Sequence, residues 1–224
     1  LRLVGSEMCI RDSMKIAIAG SGALGSGFGA MMYKQNYDVT FIDGWEPQAQ
    51  AVKQDGLHID INGEANHLNI PMYHDTEIPK GDQYDVIFLF TKSMQLSDML
   101  EQIKPHIHEH TIMVCTMNGL KHEDVIVNYV DEARIVRGVT VWTAGLESPG
   151  HTHLMGAGPV EIGALIPDGQ ANVDVVFDIL KHSGLNPLKS EKFTTIDLEK
   201  DLRKWNSKCT MYSLRMSFVN IKCE

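Results

Sequence analysis

Residues 15–25 read Lys-Ile-Ala-Ile-Ala-Gly-Ser-Gly-Ala-Leu-Gly, an apolar β-prone run passing directly into Gly-x-Gly-x-x-Gly. The three glycines answer three separate demands. Gly20 lets a strand turn sharply, Gly22 leaves the backbone open to a pyrophosphate, and Gly25 lets a new helix pack close to a sheet. Phosphates would then sit over the free N–H groups at the helix N-terminus. The surroundings strengthen the reading. Residues 26–35 are compatible with a helix, and Asp38–Asp43 reads as a second strand that ends in an acid near the spacing of a ribose contact. The plainer alternative is a Gly-rich turn in another α/β fold, and the flanking strand, helix and acid count against it.

Downstream, strand-like and helix-like segments alternate. Residues 46–54 read as a short helix, and residues 57–61 alternate before the turn pair Asn62-Gly63. Residues 84–91 and 111–117 are near-continuous apolar runs, as expected for parallel strands covered on both faces. Residues 93–103 predict a helix with Ser93 as N-cap, and residues 122–130 and 171–182 predict two more. Residues 135–143, 151–155 and 159–165 read as further strands. This is the pattern of a Rossmann-type doubly wound, mostly parallel sheet in the α/β class. Such sheets bind ligands at the carboxyl ends of their strands. The candidate site is therefore the 20–25 loop, Asp43, Thr91-Lys92, Asn118-Gly119 and Thr143-Ala144.

The net charge of −9 argues against a nucleic-acid partner. No apolar run approaches the ~20 residues that span a bilayer. Cys9, Cys115, Cys209 and Cys223 have neither metal-ligand nor disulfide spacing, and Cys115 lies in an apolar run, which fits a reduced cytoplasm. The histidines give no ligand pattern, so no metal is expected. His106, His108 and His110 alternate, but the segment reads as a polar loop.

Lys92 stands where a strand leaves the sheet. A positive charge is poorly placed at a helix start, which favours a phosphate or substrate oxygen over solvent as its partner. Asn118 can donate and accept, suiting a nicotinamide, a ribose or a substrate hydroxyl. An ordinary turn asparagine before Gly119 explains it equally well.

Together, Gly20-Ser21-Gly22-Ala23-Leu24-Gly25, Phe90-Thr91-Lys92 with Gln95, Met117-Asn118-Gly119, and Gly138 through Trp142-Thr143-Ala144 to Ser148-Pro149-Gly150 resemble the ketopantoate reductases (2-dehydropantoate 2-reductases). The resemblance covers roughly residues 14–187. It implies that the glycine loop holds the cofactor pyrophosphate and that Ala144 contacts the cofactor. It places Lys92 and Asn118 at the cofactor–substrate junction, with Asn118 also binding substrate. It implies hydride transfer from NADPH to the keto carbon of ketopantoate, giving pantoate for pantothenate and coenzyme A. A lysine of a following helical domain would donate to the carbonyl oxygen. A homodimer is open for the full-length form. Asp43 speaks against NADPH: an acid closing the second strand suits a ribose 2′-hydroxyl and repels a 2′-phosphate, leaving NAD possible. No Lys or Arg lies between Asp43 and Lys53.

Both ends depart from that family. Residues 1–13 contain Met8-Cys-Ile-Arg-Asp-Ser13, which resembles the translation of a transposon end used in preparing sequencing libraries. This segment is expected to be a non-native adapter scar, with a genuine disordered tail as the alternative. The nucleotide-binding domain is expected over 14–190, and 191–224 as an aberrant remnant of the helical domain. The family motif there is Trp-x-Lys-x-x-x-Asn-x-x-x-Asn. Trp205-Asn-Ser-Lys208 misses it by one position, and Tyr212 replaces an asparagine. Reading the codons one nucleotide forward forces Gly at Trp205-Asn206 and Cys at Met211-Tyr212. It also permits Trp, Lys and both Asn at family spacing, so a frameshift near 194–196 is expected. The catalytic residue is unknown in the chain as written. Three readings stand: a ketopantoate reductase fragment, expected to be inactive; a dehydrogenase for another 2-keto acid; and a non-enzymatic dinucleotide-binding module.

Overall fold

A computed structural model describes residues 14–117 and 122–190. The expected 1–13 and 191–224 segments, and with them Asn118, Trp205 and Lys208, lie outside the described residues.

The first strand, β1 (Lys15–Ala19), is the axis of the molecule. It pairs in parallel with β2 (Asp38–Asp43) on one side and with β6 (Tyr84–Leu89) on the other. Its alternation explains its uninterrupted apolar sequence. Ile16 and Ile18 are fully buried in one core, with Phe28, Phe41 and Phe88, while Ala17 and Ala19 are fully buried in another, with Ile42, Leu89 and Leu100. Each isoleucine so buried contributes about 1.5–3 kcal/mol relative to an exposed one. The order of the eight-stranded sheet is β12-β11-β8-β7-β6-β1-β2-β5, the remaining members being β5 (Met72–His74), β7 (Ile107–Cys115), β8 (Ile135–Thr140), β11 (Val160–Ala164) and β12 (Pro187–Lys189). All neighbours are parallel except β8 and β11. The strand order reverses at β1, which is the topological switch point where such sheets open a crevice.

Helix α1 (Ala23–Tyr33) follows the glycine loop. Its two faces are enclosed by two sheets. A Cβ on Gly29 would collide with the Phe41 ring of the main sheet, and one on Gly27 would lie 2.7 Å from Leu154 Cδ1 of a second sheet. That sheet has the order β4-β3-β10-β9, built from β3 (Leu57–Ile61), β4 (Glu64–Leu68), β9 (Thr143–Ser148) and β10 (His151–Met155). The Asn62-Gly63 turn joins β3 to β4 as expected, with φ of 53° and 90°, the paired positive values of a type I′ hairpin. The other helices are α2 (Glu46–Asp55), α3 (Leu96–Ile103), α4 (Glu123–Ile126) and α5 (Gln170–His182). Among the described residues, no helix is long and apolar enough to cross a membrane.

Several local expectations change. The 135–143 segment is two strands in different sheets: β8 stops at Thr140 and β9 starts at Thr143. Between them Trp142 is buried, and its indole N–H donates to Gly158 O at 2.8 Å, pinning the crossing. His151–Met155 accordingly belongs to the second sheet rather than the main one. Residues 93–103 are a 3-10 turn (Ser93–Gln95) followed by α3, and Ser93 caps neither, its hydroxyl being turned to His122. The helix expected at 122–130 is only α4. The 106–110 segment is not a solvated loop. His106 is buried, with Nδ1 2.7 Å from Asp82 O, and His108 and His110 lie on β7. The pairing of β6 with β7 slips between Tyr84 and Val86, and Thr111 Oγ1 fills the gap by donating to Tyr84 O at 2.7 Å. That irregularity disguised the strand's first half.

Candidate functional site

The loop between β1 and α1 lies at the carboxyl edge of the sheet. Gly20 has φ of 95°, and a Cβ there would lie 2.6 Å from Thr91 N. The residue is glycine for its turn and equally for the close passage of the Phe90–Thr91 backbone. A Cβ on Gly25 would collide with Gly20 O, so the loop folds tightly on the helix start. At Gly22 a Cβ would meet nothing within 4 Å. That position faces open space, and it is also the N-cap of α1, which has no side-chain cap and no acid in its first turn. The helix therefore presents uncapped N–H groups and the positive end of its dipole beside an open backbone, an arrangement suited to an anion.

Ser21 is fully buried. Its hydroxyl donates to Asp43 Oδ2 at 3.3 Å, and its carbonyl accepts from Ser26 Oγ at 2.7 Å and Gln48 Nε2 at 3.0 Å. Asp43 also accepts from Trp45 N at 2.9 Å. Burial raises its carboxyl above the ordinary aspartate value, an effect the Trp45 and Ser21 bonds oppose and neighbouring Asp75 reinforces. Lys92 is exposed at the end of β6, immediately after the Thr91 that touches Gly20. Ala23 and Leu24 open α1. Ala144 is partly buried on β9, opposite Leu154, in the sheet that covers α1. It does not end a strand of the main sheet, as the sequence had suggested. The structure thus brings Gly20, Ser21, Gly22, Gly25, Asp43 and Lys92 to one edge.

Sequence reasoning missed Gln48, His122, Glu123 and Arg137 around this edge, among others. Gln48, fully buried, bonds Ser21 O through its amide nitrogen and Gly150 N through its oxygen at 2.9 Å, tying the glycine loop to the Ser148-Pro149-Gly150 segment. Its signal was a polar residue on the apolar side of α2, beside Ala49 and Val52. His122 lies 2.9 Å from Ser93 Oγ. Glu123 and Arg137 form a buried ion pair at 3.3 Å. These contacts are long-range and have no local signature. Among the described residues, no group of His, Cys, Asp or Glu is arranged to hold a metal. A surface cavity of about 440 Å³ lies at the other end of α1, lined by Lys34, Asn62, Lys181 and His182, and has no part in this edge.

The family description "Ketopantoate reductase PanE/ApbA" matches residues 16–167. The chain belongs to this family. It is 46% identical over 173 residues to the 2-dehydropantoate 2-reductase of Lactococcus lactis, covering 77% of this chain and 55% of that protein. It is 43% identical over 178 residues to that of Streptococcus pyogenes, covering 80% and 57%. A solved ternary structure of D-mandelate dehydrogenase with NADH and anilino(oxo)acetate superposes with a TM-score of 0.78 at 43% identity, covering 80% of this chain and 58% of that one. The chain spans little more than half the length of the relatives it matches.

Proposed function

We propose that residues 14–190 are the dinucleotide-binding domain of a 2-keto acid reductase, and that the reaction of the whole enzyme is reduction of 2-dehydropantoate to pantoate. The observation that carries this reading is the open space at Gly22 beside the uncapped start of α1, at the switch point of the sheet. A nicotinamide dinucleotide fits those residues: the glycine loop and α1 would take the pyrophosphate, Asp43 a ribose, and Ala144 and Lys92 the region toward the nicotinamide. When bound, the cofactor supplies a hydride to the keto carbon. The family resemblance brings NADPH, and Asp43 speaks for NADH; both would use the same loop.

The chain's own residues do the remaining work. The uncapped amides of α1 neutralise phosphate charge. Gln48 holds Ser21, and Ser21 holds Asp43, so the loop is set before the ligand arrives. Lys92 offers a cation at the edge where a substrate carboxylate or carbonyl oxygen would lie, and the family resemblance assigns Asn118 an amide role toward cofactor and substrate. The proton for the developing alkoxide is assigned to a lysine of the helical domain, and the near-miss at Lys208 leaves the chain as written without that group in register. General acid catalysis of this kind is worth ~10² to 10⁴-fold. We therefore expect the 224-residue chain to bind dinucleotide weakly at best and to reduce ketopantoate negligibly, in a cytoplasmic setting that keeps its thiols reduced. Reading the genomic DNA across residue 194 and assaying the chain extended in the alternative frame tests this. Restored activity supports the reading, and an ordinary enzymatic rate from the 224-residue chain refutes the assignment of the proton donor.

A second reading has its own observation. The 43% identity to D-mandelate dehydrogenase, beside 46% to a 2-dehydropantoate 2-reductase, is equally compatible with a dehydrogenase for another 2-keto acid, since the matched region is the dinucleotide half and leaves substrate choice to residues elsewhere. Comparing ketopantoate with phenylglyoxylate as substrates of the extended chain separates the two. A non-enzymatic module is the reading to adopt if dinucleotide binds and neither keto acid is reduced by that extended chain.

A further inference from the structure

We propose that this chain selects NAD(H) over NADP(H), and that Asp75 is a second specificity residue acting with Asp43. The inference rests on dinucleotide binding at the glycine loop.

The end of β2 receives the ribose in a fold of this kind, where a carboxylate accepts hydrogen bonds from the vicinal hydroxyls. Asp43 is fixed for that role. Trp45 N holds Oδ1 at 2.9 Å, and Ser21 Oγ, from the glycine loop itself, holds Oδ2 at 3.3 Å. Asp75 comes from the neighbouring strand. It follows His74, which lies opposite Asp43 in the β2–β5 register, and its backbone N–H donates to Asp43 O at 3.2 Å. Its carboxylate folds over the turn after β2, since a Cβ on Gly44 would lie 2.8 Å from Asp75 Oδ2. Gly44 therefore leaves room for a second carboxylate beside the first. The Asp75 side chain is only 15% exposed, so solvent screens its charge little.

The basic groups nearby are already engaged. His74 Nδ1 is 3.1 Å from Asp75 Oδ1, and its Nε2 is 3.6 Å from Glu46 Oε2 and 3.3 Å from Gly44 O. Lys53 pairs with Glu77 at 3.3 Å. Even with His74 protonated, the carboxylates of Asp43, Glu46, Asp75 and Glu77 outnumber His74 and Lys53. A 2′-phosphate carries about −1.5 to −2 charge at neutral pH. Here it would meet two oriented carboxylates, and residues 44–52 offer no Lys or Arg to clamp it. A 2′-hydroxyl donates to the same groups.

The test titrates the 224-residue protein with NADH and NADPH, following nicotinamide fluorescence at low and moderate salt. The expected result is NADH tighter by on the order of 10-fold or more, with the gap persisting at moderate salt because the carboxylates are largely shielded from it. Asp75→Asn and Asp75→Ser should each tighten NADPH and weaken NADH, narrowing or reversing the preference. Thermal melting of each variant separates a shift in preference from a loss of fold. Equal or tighter NADPH binding by the parent protein overturns the selectivity. Unchanged NADPH affinity in both folded Asp75 variants overturns the role of Asp75. Binding of neither nucleotide overturns the site reading itself, a different result from reversed preference.

Discussion

Ser93 Oγ lies 2.9 Å from His122 Nε2, joining the turn after β6 to the residue that precedes α4. Lys92 precedes the serine, and Asn118 precedes the histidine by four positions. The contact therefore ties the turn that carries Lys92 to the start of α4. His122 is buried and Ser93 is exposed, so the bond lies where the site edge meets the core.

Removing either partner should loosen this junction. A partly buried neutral hydrogen bond contributes about 0.5–1.5 kcal/mol. We expect Ser93→Ala and His122→Ala to lower the melting temperature by roughly 2–4 °C for each kcal/mol lost in a chain of this size. In a double-mutant cycle the two should couple by about 0.5 kcal/mol or more. Denaturant melts of the two single variants and the double variant measure that coupling directly. Strict additivity would show that the contact contributes nothing.

The Glu123–Arg137 pair should behave differently, because both side chains are about nine-tenths buried. Deleting Arg137 takes the guanidinium away from the buried Glu123 carboxylate, a change that typically costs 3–5 kcal/mol. Arg137→Met should therefore unfold far more readily than Ser93→Ala. Replacing both residues with apolar groups of similar volume should recover much of the loss. Equilibrium denaturation of Glu123→Ala, Arg137→Met and the double variant checks this.

What could be read in advance follows a physical divide. β1, the glycine loop and the Asn62-Gly63 turn were legible, because local backbone chemistry specifies each: apolar alternation, a left-handed φ, a type I′ turn. The split of 135–143 into two sheets was not, since β8 and β9 differ in partners rather than in composition. α1 gave little amphipathic signal because sheets cover it on both sides. At the site, Gly22 and Asp43 announced themselves through motif spacing. Gln48 and Asp75 did not, because their roles come from strands and loops distant in sequence. Ala144 was expected at the carboxyl end of a main-sheet strand and instead lies near the start of β9, in the sheet that covers α1.

The raised carboxyl of Asp43 gives a pH prediction. Burial is the main cause. A folded-state value above the unfolded one means the folded chain holds its proton longer. The contribution of Asp43 to stability is then most favourable below its unfolded value, and it is lost as pH rises through the folded value. At neutral pH the ionised carboxylate is a cost, as is common at binding sites. Asp43→Asn keeps an acceptor for Trp45 N and removes the charge. We expect this variant to be at least as stable as the parent at pH 7, with the difference shrinking in acid, and to bind NADH more weakly. Denaturant melts at pH 7 and pH 4, beside an NADH titration, check both signs. A variant less stable at pH 7 would show that the hydrogen bonds to the carboxylate outweigh its desolvation.

Gly22 and Gly25 allow the sharpest separation of fold from function. They are three residues apart in one motif, yet their surroundings differ completely. A methyl group on Gly25 would collide with the Gly20 carbonyl, whereas one on Gly22 would meet nothing within 4 Å. Gly22 has φ of −66°, outside the left-handed region that disfavours alanine. Gly25→Ala must therefore shift the loop against the helix, and overpacking of this kind costs about 1–3 kcal/mol or more. Gly22→Ala should fold with a melting temperature near the parent's, while its methyl group occupies the space assigned to the pyrophosphate. The expected pairing is a destabilised Gly25→Ala and a stable Gly22→Ala that binds NADH at least tenfold more weakly. Thermal melts and dinucleotide titrations on the two variants decide it. If Gly22→Ala binds as the parent does, the open face beside α1 is not where the phosphates lie.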